Sequence, residues 1–174
     1  PFFMFGFLMT AGPNWLGASN TVLYSLALAL GGIPLIYLGD EIATLNDYSF
    51  RADPAHVDDS RWVHRGRTDW DQVARRAEPG TREHSIYTRL RHLIAVRQDC
   101  PALAGGTMEL VDSGNPAVLG FVRPHPQAPV VVLANFHEYA QPLSPDQLHR
   151  YGLRAGARDL ITGRMIAADT ALLL

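Results

Sequence analysis

Gly32-Ile33-Pro34-Leu35-Ile36-Tyr37-Leu38-Gly39-Asp40-Glu41 is the stretch on which the fold turns. Its six central residues form a continuous apolar run with β-branched and aromatic members, the pattern of a strand buried on both faces of a parallel sheet. The run stops at Gly39 and meets two carboxylates at once. Asp40 and Glu41 are therefore expected at the C-terminal end of a strand, the end at which barrels and open α/β sheets bind ligands. One step back, residues 20–30 are rich in helix formers, with Asn20 as a candidate N-cap and Gly31-Gly32 as the stop.

No charged residue precedes Asp40. A membrane-spanning helix needs about 20 consecutive apolar residues, and residues 21–38 approach that length but carry Gly-Gly-Ile-Pro inside them. That break favours helix, turn and strand over a span. Pro1-Phe2-Phe3-Met4-Phe5 has neither an initiator Met nor a basic segment before it, so it does not read as a secretory signal. An apolar start of this kind is expected where a chain has been cut from a longer one.

Residues 42–83 show no sustained period and read as an unusually long loop, of the kind that carries function. Ile86, Tyr87, Leu90, Leu93, Ile94 and Arg97 then recur at helical spacing, Arg89, Arg91 and His92 take the other face, and Pro101 ends the element. From Gly105 the texture changes to short β-rich runs at 107–111, 117–123, 130–136, 159–162 and 171–174, with Asp112 to Pro116 as a turn between the first two. The expectation is an α/β unit joined near residues 100–106 to an all-β module.

Composition narrows the function classes. The chain has 174 residues, 47% hydrophobic and 18% charged, enough for a packed core. Its 15 basic residues, all Arg, against 17 acidic ones leave a net charge of −2, which argues against nucleic acid as a partner. Cys100 is the only cysteine, so there is no intrachain disulfide and no cysteine-based zinc site; a reducing compartment suits it. It reads as a small buried hydrophobe.

The densest polar cluster runs from Asp58 to Arg67 and holds three Arg and a His among carboxylates and Trp62. Guanidinium forks clamp carboxylates, and an indole offers a flat face for sugar rings, so the cluster fits a carbohydrate or anion site as well as a solvated loop tied by its own ion pairs. His56, His64, Asp58 and Asp59 match no metal-ligand spacing. Asp40 and Glu41 are read as ordering the following loop rather than as reacting groups.

Gly32 to Glu41 resembles the eighth barrel strand of the alpha-amylase superfamily of (β/α)8 enzymes. Leu45-Asn46-Asp47, Asp58-Asp59-Ser60-Arg61-Trp62 and Arg91 to Gln98 look specifically like amylosucrase, a family of bacterial sucrose-dependent glucosyltransferases. The resemblance covers residues 20–174. It implies the C-terminal end of a (β/α)8 barrel over 20–104 (helix 7, strand 8, its long loop, helix 8) and a β-sandwich C-terminal domain over 105–174, with 1–19 an unmatched apolar segment. It also implies a soluble bacterial enzyme that makes α-glucan from sucrose with retention and releases fructose, without metal or organic cofactor. Sucrose and an α-glucan acceptor are the implied partners. Other alpha-amylase-type hydrolases and sucrose isomerases are the alternative, a non-enzymatic membrane or binding fragment a third.

Within that family the nucleophile, acid/base and third carboxylate come from strands 4, 5 and 7, so none is expected among these residues. Arg61 matches an Arg that closes the sucrose pocket by pairing with an earlier Asp; Asp40, Glu41 and Asp59 are implied at the pocket rim. Arg67-Thr68-Asp69 mimics the nucleophile motif but has no apolar strand before it, and is read as chance. The family would continue past Leu174, so both ends are expected to be truncations.

Overall fold

The computed structural model describes residues 2–7, 15–154, 156–167, 169 and 171–174. Its helices, in chain order, are α1 (Trp15–Ala29), α2 (Trp70–Ala74), α3 (Arg82–Asp99), α4 (Pro101–Ala104) and α5 (Pro145–Arg150). Its strands are β1 (Phe2–Phe7), β2 (Glu109–Val111), β3 (Val118–Arg123), β4 (Val130–Asn135), β5 (Pro142–Leu143), β6 (Ala157–Asp159), β7 (Met165–Ile166) and β8 (Leu172–Leu173). Compactness divides the chain into Pro1–Leu35 with Leu90–Leu174, and Ile36–Arg89. The change of texture near residues 100–106 marks where α4 gives way to β2; the compact units part elsewhere.

The first unit is built on a six-stranded sheet in the order β2-β3-β4-β1-β6-β7, with β5 and β8 forming a separate pair. β1 runs parallel to both β4 and β6, while the other pairings are antiparallel. β4 is the centre. Val-Val-Val-Leu-Ala-Asn is at most 1% exposed at every position, because both faces are covered. Val131 and Leu133 face a core with Val118, Leu143, Leu148, Tyr151, Leu153, Ala157 and Leu174. Val130 and Val132 lie opposite Arg123 and Phe121 of β3, and Arg123 reaches the carbonyl of Ala102 in α4, so this face looks toward the helices.

Two arginines stitch that helical side. Arg97 donates to the carbonyls of Leu28, Leu30 and Gly32 at the end of α1. Arg123, fully buried, donates to Ala102 and Gly105 at the end of α4. Helix C-termini leave carbonyls unpaired and attract cations, which is why arginines suit both places. Among the described residues, Arg123 Nη1 is the buried side-chain polar atom left without a partner. Gly31 is required beside it: a Cβ there would stand 2.9 Å from the Gly106 carbonyl oxygen and 3.1 Å from Arg123 Nη1.

Several expectations hold. α3 buries Ile86, Leu90 and Leu93, leaves Arg89, Arg91 and His92 exposed and stops before Pro101. Cys100 is buried. Three are corrected. α1 begins at Trp15, so Asn20 lies inside the helix rather than capping it. Residues 33–38 form no ladder among the described residues, and Ile33, Leu35 and Leu38 are 98%, 81% and 78% exposed; a strand buried on both faces needs paired edges and two covering layers, and no described residue supplies them. The module after residue 105 is not all-β, because α5 packs Leu148 into its core under a capping box in which the Ser144 hydroxyl accepts the Gln147 amide and the Gln147 side chain accepts the Ser144 amide. Among the described residues, no helix is long and apolar enough to cross a membrane.

Candidate functional site

The expected long loop lies within the second unit, and it is ordered by short turns rather than left open. Gly39, at φ +99°, starts a 3₁₀ turn over Asp40–Ile42, which Ile42 anchors by burial. Glu41 Oε2 accepts the Gly39 amide at 2.8 Å, and Thr44 returns its amide to the Gly39 carbonyl at 2.9 Å. Asp47 turns the chain again by accepting the Ser49 amide at 2.9 Å, while its own amide donates to the Val63 carbonyl at 2.8 Å. That last bond joins two stretches far apart in sequence. Ser49's side chain first, then its amide, holds the Asp47 carboxyl below the usual range.

A further 3₁₀ turn, Ser60–His64, is opened by Asp59, which accepts the Arg61 amide at 3.0 Å. The same carboxylate takes both arms of the Arg61 guanidinium, each at 2.8 Å. Arg61's hydrogen bonds, side chain first, hold Asp59 down to about 2. The Arg61 side chain is 74% exposed. Its partner in this chain is thus its near neighbour.

The two stretches enclose a cavity of about 370 Å³, within the range of small-molecule sites. Asp40, Glu41, Asp47, His64, Arg65 and Arg67 are among its lining residues; Tyr37 meets His64 edge-on with ring centroids 6.3 Å apart. Carboxylates and guanidiniums lining one such volume suit a polyhydroxylated ligand, whose hydroxyls donate to the former and accept from the latter. Of the residues singled out from the sequence, Asp40 and Glu41 line the cavity and Arg61 and Asp59 do not.

Trp62 departs from its expected use. His56 lies against its ring with centroids 3.7 Å apart, Arg65 sits over it at 5.6 Å, and His56 in turn pairs with Asp53 at 2.7 Å. The indole is packed within its own loop rather than open to a sugar ring. Asp69 caps α2 by accepting the amides of Asp71 and Gln72 at 3.0 and 3.1 Å, a structural employment for the aspartate of Arg67-Thr68-Asp69. Among the described residues, no group of three His, Cys, Asp or Glu is placed to hold a metal. Sequence reasoning missed Asp47 and Tyr37 as cavity residues; the Asp-x-Ser spacing at 47–49, an Asx turn, was the available signal.

No family model matches the sequence. Solved structures do. A variant of MutB, a trehalulose synthase, aligns over 98% of this chain with a TM-score of 0.67 and 20% identity, and a MutB variant in complex with sucrose over 98% with a TM-score of 0.63 and 19% identity. A variant of isomaltulose synthase from Erwinia rhapontici, in complex with sucrose, aligns over 76% with a TM-score of 0.53 and 19% identity. At such identities the likeness is one of fold, to part of a (β/α)8 enzyme. This chain spans 32% of the Erwinia protein and 41% of the MutB chains.

Proposed function

We propose that this chain is the C-terminal part of a sucrose-acting glucosyl enzyme of the alpha-amylase superfamily, of the amylosucrase kind. The observation that carries the reading is the fold likeness over 98% of the chain to an enzyme bound to sucrose. Residues 20–104 then close the (β/α)8 barrel and 105–174 form the C-terminal domain. The exposed run at 33–38 takes the place of strand 8, and the cavity behind Asp40 lies at its ligand-binding end.

In this reading the residues present bind and orient, and none reacts. Splitting sucrose with retention needs a carboxylate nucleophile and an acid/base carboxyl on either side of the glycosidic bond. The family supplies these from strands 4, 5 and 7. Here Asp69 is engaged by helix amides and Glu41 by the Gly39 amide. Arg61, which lies outside the cavity and is forked to Asp59 in this chain, closes the sucrose pocket only by leaving Asp59 for a carboxylate supplied by the preceding strands. Asp40, Glu41 and Asp59 order the rim.

Because the matched structures are sucrose isomerases, isomerisation is the second reading. The two are separated by supplying sucrose to a polypeptide that carries this chain behind strands 4, 5 and 7. Fructose with α-glucan supports the glucosyltransferase; isomaltulose or trehalulose without a glucan supports the isomerase; no turnover of sucrose overturns both. In the active polypeptide, Arg61→Lys and Arg61→Ala both lower kcat/KM on sucrose, whereas unchanged kcat/KM in Arg61→Ala removes Arg61 from the pocket.

A further inference from the structure

We infer that Asp47 is the carboxylate that receives a sugar hydroxyl in the cavity of the second unit, and that Gly66 is the positioning residue that sets where this carboxylate stands. The sugar rests on the reading above; the pairing of the two residues rests on its own geometry. Both line the cavity. A Cβ at Gly66 would stand 3.0 Å from Asp47 Oδ2, 3.1 Å from its Cβ and 3.5 Å from its Cγ, so the glycine backbone runs against the carboxylate with no space for a side chain. The φ of Gly66 is not positive, so close approach rather than a turn dihedral is what calls for glycine here.

Asp47 is also held by its own neighbours. Its amide donates to the Val63 carbonyl at 2.8 Å, and its Oδ1 accepts the Ser49 amide at 2.9 Å, which leaves Oδ2 as the oxygen set against Gly66. Other carboxylates of the cavity have local employment: Glu41 closes its own turn on the Gly39 amide, and Asp69 caps α2. The place of Asp47 depends instead on a distant stretch, through Val63 and Gly66. A group fixed before binding loses little freedom when a ligand arrives.

The chemistry selects a neutral, hydroxylated ligand. Gly66 lies between Arg65 and Arg67, and all three line the cavity with Asp47. A hydroxyl donates and accepts, so it suits a carboxylate and guanidiniums in one volume. An inorganic anion would accept from the arginines but be repelled by Asp47.

Sucrose titrated into the full chain, followed by the amide resonances of residues 63–68, tests the pair. Saturable shifts are expected. Asp47→Asn weakens binding about tenfold, the worth of one hydrogen bond to a charged group, and Gly66→Ala weakens it about as far. The double variant binds no more weakly than Asp47→Asn alone, because the glycine acts through the carboxylate. Gly66→Ala also moves the Asp47 carboxyl titration back up toward the ordinary range, since the added methyl displaces the carboxylate from Ser49. Glu78→Gln, a charge loss in the same unit but outside the cavity, leaves binding unchanged. Absence of saturable sucrose binding, unchanged affinity in Asp47→Asn, or phosphate binding in place of sucrose that Asp47→Asn strengthens overturns the assignment of Asp47. Additive losses in the double variant, or a Gly66→Ala chain whose circular dichroism shows that it does not fold, make Gly66 a glycine of loop closure and overturn its role. Binding reads the pair and sugar products read the transferase, so either reading can fail without the other.

Discussion

Val130–Asn135 and Ile33–Leu38 are apolar runs of six residues, and water treats them differently. β4 has hydrogen-bonded neighbours on both edges, β3 and β1, and apolar layers on both faces. The earlier run has no ladder among the described residues and leaves Ile33, Leu35 and Leu38 largely in solvent. An apolar run becomes a buried strand only when other parts of the chain meet its amides and its side chains; hydrophobicity states a demand that tertiary contacts must answer. Pro34 adds a local reason, since it brings no amide to a ladder.

The widest gap between the two runs should appear on truncation. Leu133→Ala removes a fully buried side chain and is expected to cost about 2–5 kcal/mol in urea unfolding, whereas Leu35→Ala, at 81% exposure, should stay within about 0.5 kcal/mol. Equal losses would show that residues 33–38 are buried in solution and would erase the contrast. The next effect lies under β4. Arg123→Met deprives the Ala102 and Gly105 carbonyls of their donor, at roughly 1–3 kcal/mol, and Gly31→Ala, which forces a Cβ against Gly106, should destabilise by a comparable route. A neutral Arg123→Met would mean that the orphaned Nη1 offsets what the other nitrogens contribute.

Smaller effects belong to the second unit, where order comes from turns rather than layers. Asp69→Ala removes the cap of α2 and is expected to cost about 1 kcal/mol locally, seen as faster hydrogen exchange of the Val73 amide, which donates to the Asp69 carbonyl in the first turn. The smallest change is a titration. Asp59, lowered from 3.8 to about 2 chiefly by the Arg61 side chain, contributes fully above pH 4, and that contribution is lost as the pH falls toward 2. Carboxyl carbon shifts of Asp59 should report a midpoint near 2 that returns toward the ordinary range in Arg61→Ala; a midpoint near 4 in the parent chain would break the Asp59–Arg61 fork.

What the residues determined by themselves were the features with local causes. The period of Ile86, Leu90 and Leu93 placed α3, β-branched density placed β3 and β4, and the Asp112–Pro116 turn chemistry separated β2 from β3. The capping box at Ser144 and Gln147 was legible too, though unread. Tertiary structure alone decided the rest: that Phe2–Phe7 runs parallel between β4 and β6, that Asp47 meets Val63 to enclose a cavity, that Trp62 is covered by His56, and that residues 33–38 lie open. Each of these depends on which distant backbone reaches an unpaired amide or an uncovered ring first, and neighbouring residues carry no record of that outcome.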